Sequence, residues 1–191
     1  MKRLVLASGS PRRAELLTLL GLQFEVRSPQ VDETRYPDEE PATYVERLAR
    51  SKAAAVADEG SIVVGGDTVV VHRGRVLGKP AHPAEARAML ADLSGQTHEV
   101  LSGVAVARTE GSETVVESQV ASATVHFFDL LPEEIDAYVA TGEPLDKAGA
   151  YALQGRGAVL VDWIRGHPST VVGLPIPDLR RLLARAGLES P

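Results

Sequence analysis

The sequence predicts a mixed α/β fold with some α+β character, built on a mixed β-sheet. Helical and strand-like patterns alternate along the first half of the chain, as they do in proteins that contain parallel strands. Two β-rich runs, 98–108 and 114–128, then follow each other directly, and strands joined in this way pair antiparallel. The order of elements therefore favours a mixed sheet over a purely parallel one.

Proline marks the start of each predicted helix in the first half of the chain. Pro11, Pro41 and Pro83 each precede apolar residues at helical spacing, and proline is favoured at the first helical position. Gly21 and Gly95 lie where the first and third helices should end. Apolar or alternating runs between the helices predict strands. The predicted elements are helices at 11–20, 41–58 and 83–93, and strands at 4–6, 24–27, 62–64, 68–71 and 75–77.

The second half of the chain is richer in strand patterns. Its two long runs are separated by Glu110-Gly111-Ser112, which predicts a turn. A loop and a helix are predicted over 129–140, and the glycine-rich stretch 142–157 is expected to be irregular. The apolar run 158–161 predicts a buried strand, and a final helix is predicted over 177–186.

Length and composition describe an ordinary globular protein. The chain has 191 residues, of which 44% are hydrophobic and 24% are charged, and we predict that residues 1–191 form a single domain with two lobes. The formal net charge of −6 argues against a general affinity for nucleic acid or for anionic membranes. A site for a polyanion would therefore be a local cluster of positive side chains.

Several protein classes are excluded by what the sequence lacks. Without cysteine there is no disulfide, no thiolate metal site and no cysteine nucleophile. The N-terminal apolar run is too short for a signal peptide and no stretch has the length of a membrane span, so we expect a cytoplasmic protein. The motifs GxGxxG, GxSxG and HExxH are absent, and the five histidines lack metal-ligand spacing. Residues 74–80 differ from a Walker A loop in spacing and in the proline at position 80.

The most informative segment is 7–13, ASGSPRR, which joins the first predicted strand to the first helix. Ser10 is suited to the N-cap, and Arg12 and Arg13 then fall in the first turn, where the helix dipole disfavours positive charge. Backbone N–H groups at a helix start, with two guanidinium groups beside them, form a phosphate site. The alternative is that both arginines point into water on a surface turn.

Asp67 and Lys79 are further candidates for chemistry. Asp67 follows two glycines and interrupts an apolar run, so it is either a turn residue at a glycine bend or an ion-binding group at a strand edge. Lys79 precedes Pro80, which restricts the lysine backbone and helps to fix the direction of its ammonium group.

Three other polar residues are weak candidates when each is taken alone. Lys52 shares the apolar face of the helix predicted from Pro41, where a lysine often extends along the core to reach water. Glu33 supplies a second loop carboxylate, although loop carboxylates are usually solvated. A loop amide such as that of Gln154 ordinarily hydrogen-bonds nearby backbone or water.

An ordered series of segments resembles the Maf family of nucleoside triphosphate pyrophosphatases. Each segment alone would be weak, but their order over most of the chain is highly specific. The segments are 7–13 (ASGSPRR), Asp32-Glu33, the helix that carries Lys52, 66–70 (GDTVV), 77–80 (LGKP), 93–98 (LSGQTH), 146–151 (DKAGAY) and Gln154-Gly155.

This resemblance implies an inosine-triphosphatase-like fold, in which a long mixed β-sheet is flanked by helices and two lobes enclose a central cleft. The resemblance favours a homodimer. It also implies a metal-dependent enzyme that cleaves between the α- and β-phosphates of a nucleoside triphosphate, with Asp67 as the proton acceptor. At Arg12, Thr68 and Gln154 the chain resembles the subgroup that acts on dTTP and UTP. The subgroup that prefers 7-methyl-GTP has glutamate at the position of Gln154.

A triphosphate site needs cations for the phosphates, carboxylates for a metal and a base for the attacking water. We expect Glu33 and Asp67 to hold Mg²⁺ or Mn²⁺, hard ions that prefer oxygen ligands. A water bound to such an ion has a lowered pKa, so that Asp67 can take its proton as it attacks the α-phosphorus. Gln154 offers a pyrimidine both a donor and an acceptor. The other expected substrate contacts are Ser8, Arg12, Arg13, Lys52, Thr68 and Lys79.

Two alternatives remain open at this point. The same chemistry could act on 7-methyl-GTP or another modified nucleotide, and a role in cleansing the nucleotide pool or in arresting cell division is compatible with either substrate. The chain could also be a non-catalytic nucleotide-binding regulator of septum formation. Two carboxylates that face a polyphosphate favour the enzyme, because they repel the ligand unless a metal intervenes.

Overall fold

The computed structural model describes residues 3–111 and 113–188, so that Ser112 of the predicted turn lies outside the described residues. Its backbone divides into two compact units. The first unit contains the residues up to Thr68, the stretch Ser102–Ala121 and the residues from Gly173 onward. The second unit contains Val69–Leu101 and Ser122–Val172.

The described residues form a mixed α/β structure, as predicted. The strands are β1 (Arg3–Ala7), β2 (Glu25–Val26), β3 (Ser61–His72), β4 (Arg75–Leu77), β5 (Thr97–Glu110), β6 (Glu113–Phe127) and β7 (Val161–Arg165). Strands β1 and β2 pair in parallel, as do β1 and β3, whereas β3–β4 and β6–β7 are antiparallel. The hydrogen-bonded strand order is β2-β1-β3-β5-β6-β7, with β4 also beside β3.

The helices begin largely where the sequence predicts. Proline occupies the first turn of the helices that start at Pro11, Pro41 and Pro83, because its missing N–H has no partner to lose there. The α-helices are α1 (Pro11–Thr18), α2 (Pro41–Ala55), α3 (Pro83–Leu93), α4 (Pro132–Val139), α5 (Pro168–Val172) and α6 (Ile176–Arg185), and 3₁₀ helices cover Glu143–Asp146, Ala148–Ala150 and Arg156–Leu160.

Two strand predictions are wrong. Gly65-Gly66-Asp67 was expected to separate two strands, but β3 runs continuously from Ser61 to His72, so Asp67 lies inside a strand and not at a turn. The run 158–161 was expected to be a buried strand, but most of it is 3₁₀ helix and Val159 is 75% exposed. The strand begins only at Val161. Helix α2 also ends at Ala55, three residues before the predicted end, and α5 was not predicted.

Each unit has its own apolar cluster. In the first unit, the cluster is built from small valine and alanine side chains, which allow α2 to pack closely on β1, β3 and β5. Its buried members are Val5, Ala7, Ala49, Ala53, Val63, Ala105 and Ala107. In the second unit, larger side chains such as Leu90, Phe127 and Tyr151 fill the space between α3, α4 and the strands. None of the helices in residues 3–111 and 113–188 combines the length and the apolar character of a membrane span.

His98 is a buried polar residue in the second cluster. Its Nε2 atom lies 2.8 Å from the Tyr151 hydroxyl, and its ring meets the Phe127 ring edge to face at 5.1 Å. Burial, together with electrostatic repulsion from the nearby His72 and His126 side chains, lowers the pKa of His98 to about 4. The folded protein therefore keeps this imidazole neutral at a pH where the unfolded chain binds a proton.

We predict that acid destabilises the protein through His98. The unfolded imidazole takes its proton near pH 6.5 and the folded one near pH 4, so stability falls as the pH drops through this window. Between about pH 7.5 and about pH 5.5, the free energy of unfolding should fall by about 1 kcal/mol more in the wild type than in His98→Gln. Urea denaturation at the two pH values measures this, and equal losses in both proteins would contradict it.

Candidate active site

The loop between β1 and α1 is closed by the Ser8 side chain. Its Oγ atom accepts a hydrogen bond from the Ser10 backbone N–H at 3.1 Å and another from Arg13 Nη1 at 3.2 Å. Ser10 occupies the N-cap position, as predicted, but its side chain makes no capping bond. The buried Ser8 hydroxyl thus holds the strand-to-helix turn in place and fixes one nitrogen of Arg13.

Arg13 connects three segments of the first unit. Besides Ser8, its Nε atom donates to the Gly173 carbonyl oxygen at 2.8 Å, and Nη2 lies 3.4 Å from Thr68 Oγ1. The alternative in which Arg13 points into water is therefore wrong. Burial lowers the pKa of Arg13, while the negative charge of Asp67 opposes this effect. Arginine stays protonated in proteins, so a fixed positive charge remains at this position.

Glycines let α2 approach the sheet closely. A Cβ atom added to Gly65 in β3 would lie 2.3 Å from the Ala49 carbonyl oxygen, and one added to Gly103 in β5 would lie 2.3 Å from that of Val45. Both carbonyl groups belong to the backbone of α2, so any side chain at either glycine would displace the helix. The absence of these side chains brings the last turn of α2 down onto β3.

Lys52, in that last turn, joins the two candidate metal ligands. Its Nζ atom lies 2.7 Å from Asp67 Oδ1 and 2.8 Å from Glu33 Oε1. Lys52 is only 6% exposed and Asp67 only 8%, so the lysine does not extend along the core into water. Tyr44 lies in α2, eight residues before Lys52. Its hydroxyl donates to the Glu33 carbonyl oxygen at 2.8 Å and holds the Glu33 loop against α2.

The two networks are electrostatically connected. The guanidinium of Arg13 interacts with the charges of Arg12, Glu33 and Asp67 as well as making its own hydrogen bonds. Arg12 is half-buried, next to Arg13 in the first turn of α1. Three cations and two carboxylates of the first unit therefore form one charged cluster.

Ser102 is a polar contact that sequence reasoning missed. It is fully buried in β5, and its Oγ atom lies 2.8 Å from Thr68 Oγ1, next to Asp67 on β3. The Thr68 hydroxyl also lies 3.4 Å from the Gly173 carbonyl oxygen. The signal in the sequence was a serine within the otherwise apolar run of β5.

Lys79 and Gln154 belong to the second unit. Lys79 is exposed, just after β4, and the neighbouring Gly78 carbonyl oxygen accepts a hydrogen bond from the Gly149 N–H at 3.1 Å. Gln154 lies in the loop before the last 3₁₀ helix. Its Oε1 atom is buried and has no hydrogen-bond partner among the residues that the structure describes.

Glu33 and Asp67 are the carboxylates best placed for a divalent metal. Within 3–111 and 113–188 there is no group of three or more histidine, aspartate or glutamate residues arranged to hold a metal ion. Two carboxylates that meet at one ammonium group nevertheless suit Mg²⁺, which is commonly held by one or two carboxylates, water and the phosphates of a substrate.

The chain is similar to a family of known proteins over nearly its whole length. The family model described as "Maf-like protein" matches residues 3–186. A protein from Anaeromyxobacter sp. (strain Fw109-5) named dTTP/UTP pyrophosphatase is 55% identical over 190 residues, which cover 99% of this chain and 92% of the relative. Proteins of the same name from Moorella thermoacetica and Bacillus cereus are 53% and 48% identical to this chain. Each alignment covers 99% of this chain, together with 97% of the Moorella protein and 92% of the Bacillus protein.

Two solved structures are similar at low identity. The Ham1 protein of Staphylococcus aureus has 15% identity and a TM-score of 0.47, with 93% of this chain and 83% of that one covered. A HAM1 protein from Coxiella burnetii has 16% identity and a TM-score of 0.47, with 97% and 100% covered.

We predict that Gly65→Ala destabilises the protein because its methyl group would collide with the backbone of α2. The free energy of unfolding should fall by about 1–3 kcal/mol, the usual effect of overpacking. Gly78→Ala is the control, since nothing lies within 4 Å of a Cβ atom at that position and its φ is ordinary. Urea denaturation compares the two variants. Equal stability would show that α2 does not depend on the glycine contact.

Proposed function

The chain belongs to the Maf-like protein family, and we propose that it hydrolyses dTTP and UTP to the nucleoside monophosphate and pyrophosphate. One water is added across the α–β phosphoanhydride: its oxygen bonds to the α-phosphorus, and pyrophosphate leaves with the bridging oxygen. The observation that carries the proposal is 48–55% identity, over 99% of the chain, to relatives named dTTP/UTP pyrophosphatase. The charged cluster of the first unit supports it with side chains suited to each step.

Positive side chains neutralise the triphosphate. An ammonium group has three N–H donors, and two of those on Lys52 are directed at Asp67 and Glu33. We assign the third to a phosphate oxygen of the substrate. Arg12, at the start of α1, adds a guanidinium group beside the N-terminal backbone N–H groups of that helix. These cations lower the repulsion that opposes attack on a polyanion, and Lys79 of the second unit is proposed to serve in the same way.

Asp67 acts as the general base in this proposal. It lies inside β3 and is held at Oδ1 by Lys52, so its carboxylate has a fixed direction. A carboxylate in this setting can accept the proton of the water that attacks the α-phosphorus. Lys52 positions the base and also stabilises the negative charge that develops on the phosphate oxygens.

Glu33 and Asp67 would hold a divalent cation, which we propose to be Mg²⁺ or Mn²⁺. Such an ion supplies positive charge that stabilises the phosphate oxygens during hydrolysis. The protein contributes the two carboxylates and, through Lys52, keeps them together before the ion arrives.

The base of the nucleotide is recognised by Gln154 in this proposal. Its buried Oε1 atom is an acceptor without a partner among the described residues, and the N3–H group of thymine or uracil can supply the missing donor. An ionised glutamate at this position could not donate to a pyrimidine carbonyl. Thr68 and Arg12 remain proposed substrate contacts, with Thr68 oriented by Ser102.

We predict that Asp67→Asn removes most of the activity because the amide cannot accept the proton. The value of kcat for dTTP should fall by about 10²–10⁴-fold, measured by pyrophosphate release. Asp58→Asn is the control. Asp58 pairs with Arg3 and Arg27 just before β3, whose first residue, Ser61, lies about 20 Å from Asp67 at the usual rise per strand residue. It should lose stability and keep its kcat. Near-normal turnover by Asp67→Asn would refute the assigned role.

A substrate panel tests the choice of base. With dTTP, UTP, CTP, 7-methyl-GTP and ITP at equal concentration and with Mg²⁺ or Mn²⁺, we expect dTTP and UTP to react at least about tenfold faster than the others. EDTA should abolish the release of pyrophosphate. Preference for 7-methyl-GTP would overturn the base assignment, and binding without hydrolysis of any nucleotide would favour the regulatory alternative.

A further inference from the structure

The loop that carries Gln154 is fixed from both sides by two side chains, Glu143 and Tyr138. All the residues concerned belong to the second unit. Neither Glu143 nor Tyr138 has a role in the reaction proposed above. Tyr138 is buried in α4, and Glu143 is half-buried at the start of the first 3₁₀ helix.

On the C-terminal side of Gln154, the Glu143 carboxylate accepts hydrogen bonds from two backbone N–H groups. Its Oε2 atom accepts from Arg156 N–H at 3.1 Å, and its Oε1 atom accepts from Gly157 N–H at 3.0 Å. Burial raises the pKa of Glu143, but these N–H groups, the Tyr138 hydroxyl and the charge of Lys147 together outweigh burial and hold the pKa below its ordinary value. The carboxylate is therefore charged at neutral pH and binds both N–H groups strongly.

On the N-terminal side, the Tyr138 hydroxyl joins the loop to Glu143. The phenol donates to Glu143 Oε1 at 2.9 Å, and the backbone of Ala152 hydrogen-bonds the same phenol oxygen. Burial raises the pKa of Tyr138, so the hydroxyl keeps the proton that it donates. Residues two positions before and two and three positions after Gln154 are thus tied to one Tyr138–Glu143 pair.

The backbone of the loop is shaped to this pair. Gly155 has φ +92° and ψ −152°, a conformation almost confined to glycine. A Cβ atom on Gly155 would lie 2.8 Å from Glu143 Oε2, and one on Gly157 would lie 2.6 Å from the Tyr138 hydroxyl oxygen. The loop therefore has little freedom to move relative to Glu143, so the backbone that carries the Gln154 side chain is held in one position.

We propose that Glu143 and Tyr138 are positioning residues that set the base selectivity of the enzyme by holding the Gln154 loop in one conformation. This inference rests on the proposed function, because it assigns to Gln154 the contact with the base. A hydrogen bond that discriminates between bases requires a fixed acceptor, and the unpartnered Oε1 atom of Gln154 is fixed only while the loop on either side of it is held. We call the Tyr138–Glu143 pair the clamp. Loss of the clamp should loosen the contact between Gln154 and the base and leave the proposed phosphate-binding side chains of the first unit unchanged.

The test compares Glu143→Gln and Tyr138→Phe with Gln154→Ala. Glu143→Gln keeps the size of the side chain but removes its charge and replaces one acceptor oxygen with an NH₂ group. Glu134→Gln is the matched control, since Glu134 is also a carboxylate of the second unit that accepts a backbone N–H, from Leu131 at 2.7 Å, but at the start of α4. Steady-state kinetics with dTTP and 7-methyl-GTP are measured for each variant. Calorimetric Kd values are measured with Mg²⁺ for the α,β-methylene analogues of both nucleotides, which cannot be hydrolysed at the α–β bond.

We expect both clamp variants to lower the dTTP to 7-methyl-GTP ratio of kcat/KM by about tenfold, the effect of one lost hydrogen bond. Most of the change should lie in KM, and the Kd ratio should follow it. Glu134→Gln should keep the wild-type ratio. If the role of Glu143 is purely structural, Glu143→Gln will instead lower the thermal stability and change kcat/KM for both nucleotides by the same factor. That result would overturn the proposal.

Failure of the proposed function gives a different result. If the wild type releases no pyrophosphate, the proposed hydrolysis is wrong, and the Kd ratios still decide whether the clamp controls base selectivity. If the wild type is active but Gln154→Ala keeps the full preference for dTTP, the positioning proposal is overturned and the hydrolytic function stands.

Discussion

A buried ammonium group holds the candidate active site together. Lys52 and Asp67 are both almost fully enclosed, and taking such charges out of water is costly unless each finds a partner at short range. Removing one partner of a pair of this kind typically destabilises a protein by about 3–5 kcal/mol. The pair exists because α2 touches the sheet at Gly65 and Gly103. Close packing between backbones therefore creates the electrostatic arrangement on which the proposed chemistry depends.

Much of the fold follows from local signals in the sequence. Proline at the first helical position identified the starts of α1, α2 and α3, and the mixed order of elements predicted the mixed sheet. The errors arose where distant contacts override local preference. Gly65-Gly66-Asp67 has the composition of a turn, but Gly65 pairs with Ala7 of β1 and α2 packs directly on it, so the segment is strand. Residues 158–160 are apolar enough for a strand, yet they follow a loop whose backbone is bound to Glu143.

The candidate site was predictable as a set of residue types but not as a set of pairs. The charges of Arg12, Arg13, Glu33, Lys52 and Asp67 were visible, and the structure brings them into one cluster. That Lys52 binds both carboxylates depends on where a long loop returns to α2, and no local pattern contains this information. Ser102 and Glu143 were missed because each acts through a neighbour, Thr68 or the backbone around Gln154. The catalytic and binding roles themselves remain proposals.

The bond between Arg13 and the Gly173 carbonyl group has a consequence for the order of events during biosynthesis. Arg13 and Gly173 lie 160 positions apart in the sequence, so Arg13 is synthesised well before the partner of its Nε atom. Until Gly173 has been made and has docked, the Arg13 side chain lacks one of its three anchors, and the turn between β1 and α1 is held less firmly than in the folded protein. A nascent chain would therefore complete the proposed phosphate-binding turn only after Gly173 has emerged, even though Ser8, which closes that turn, was made much earlier.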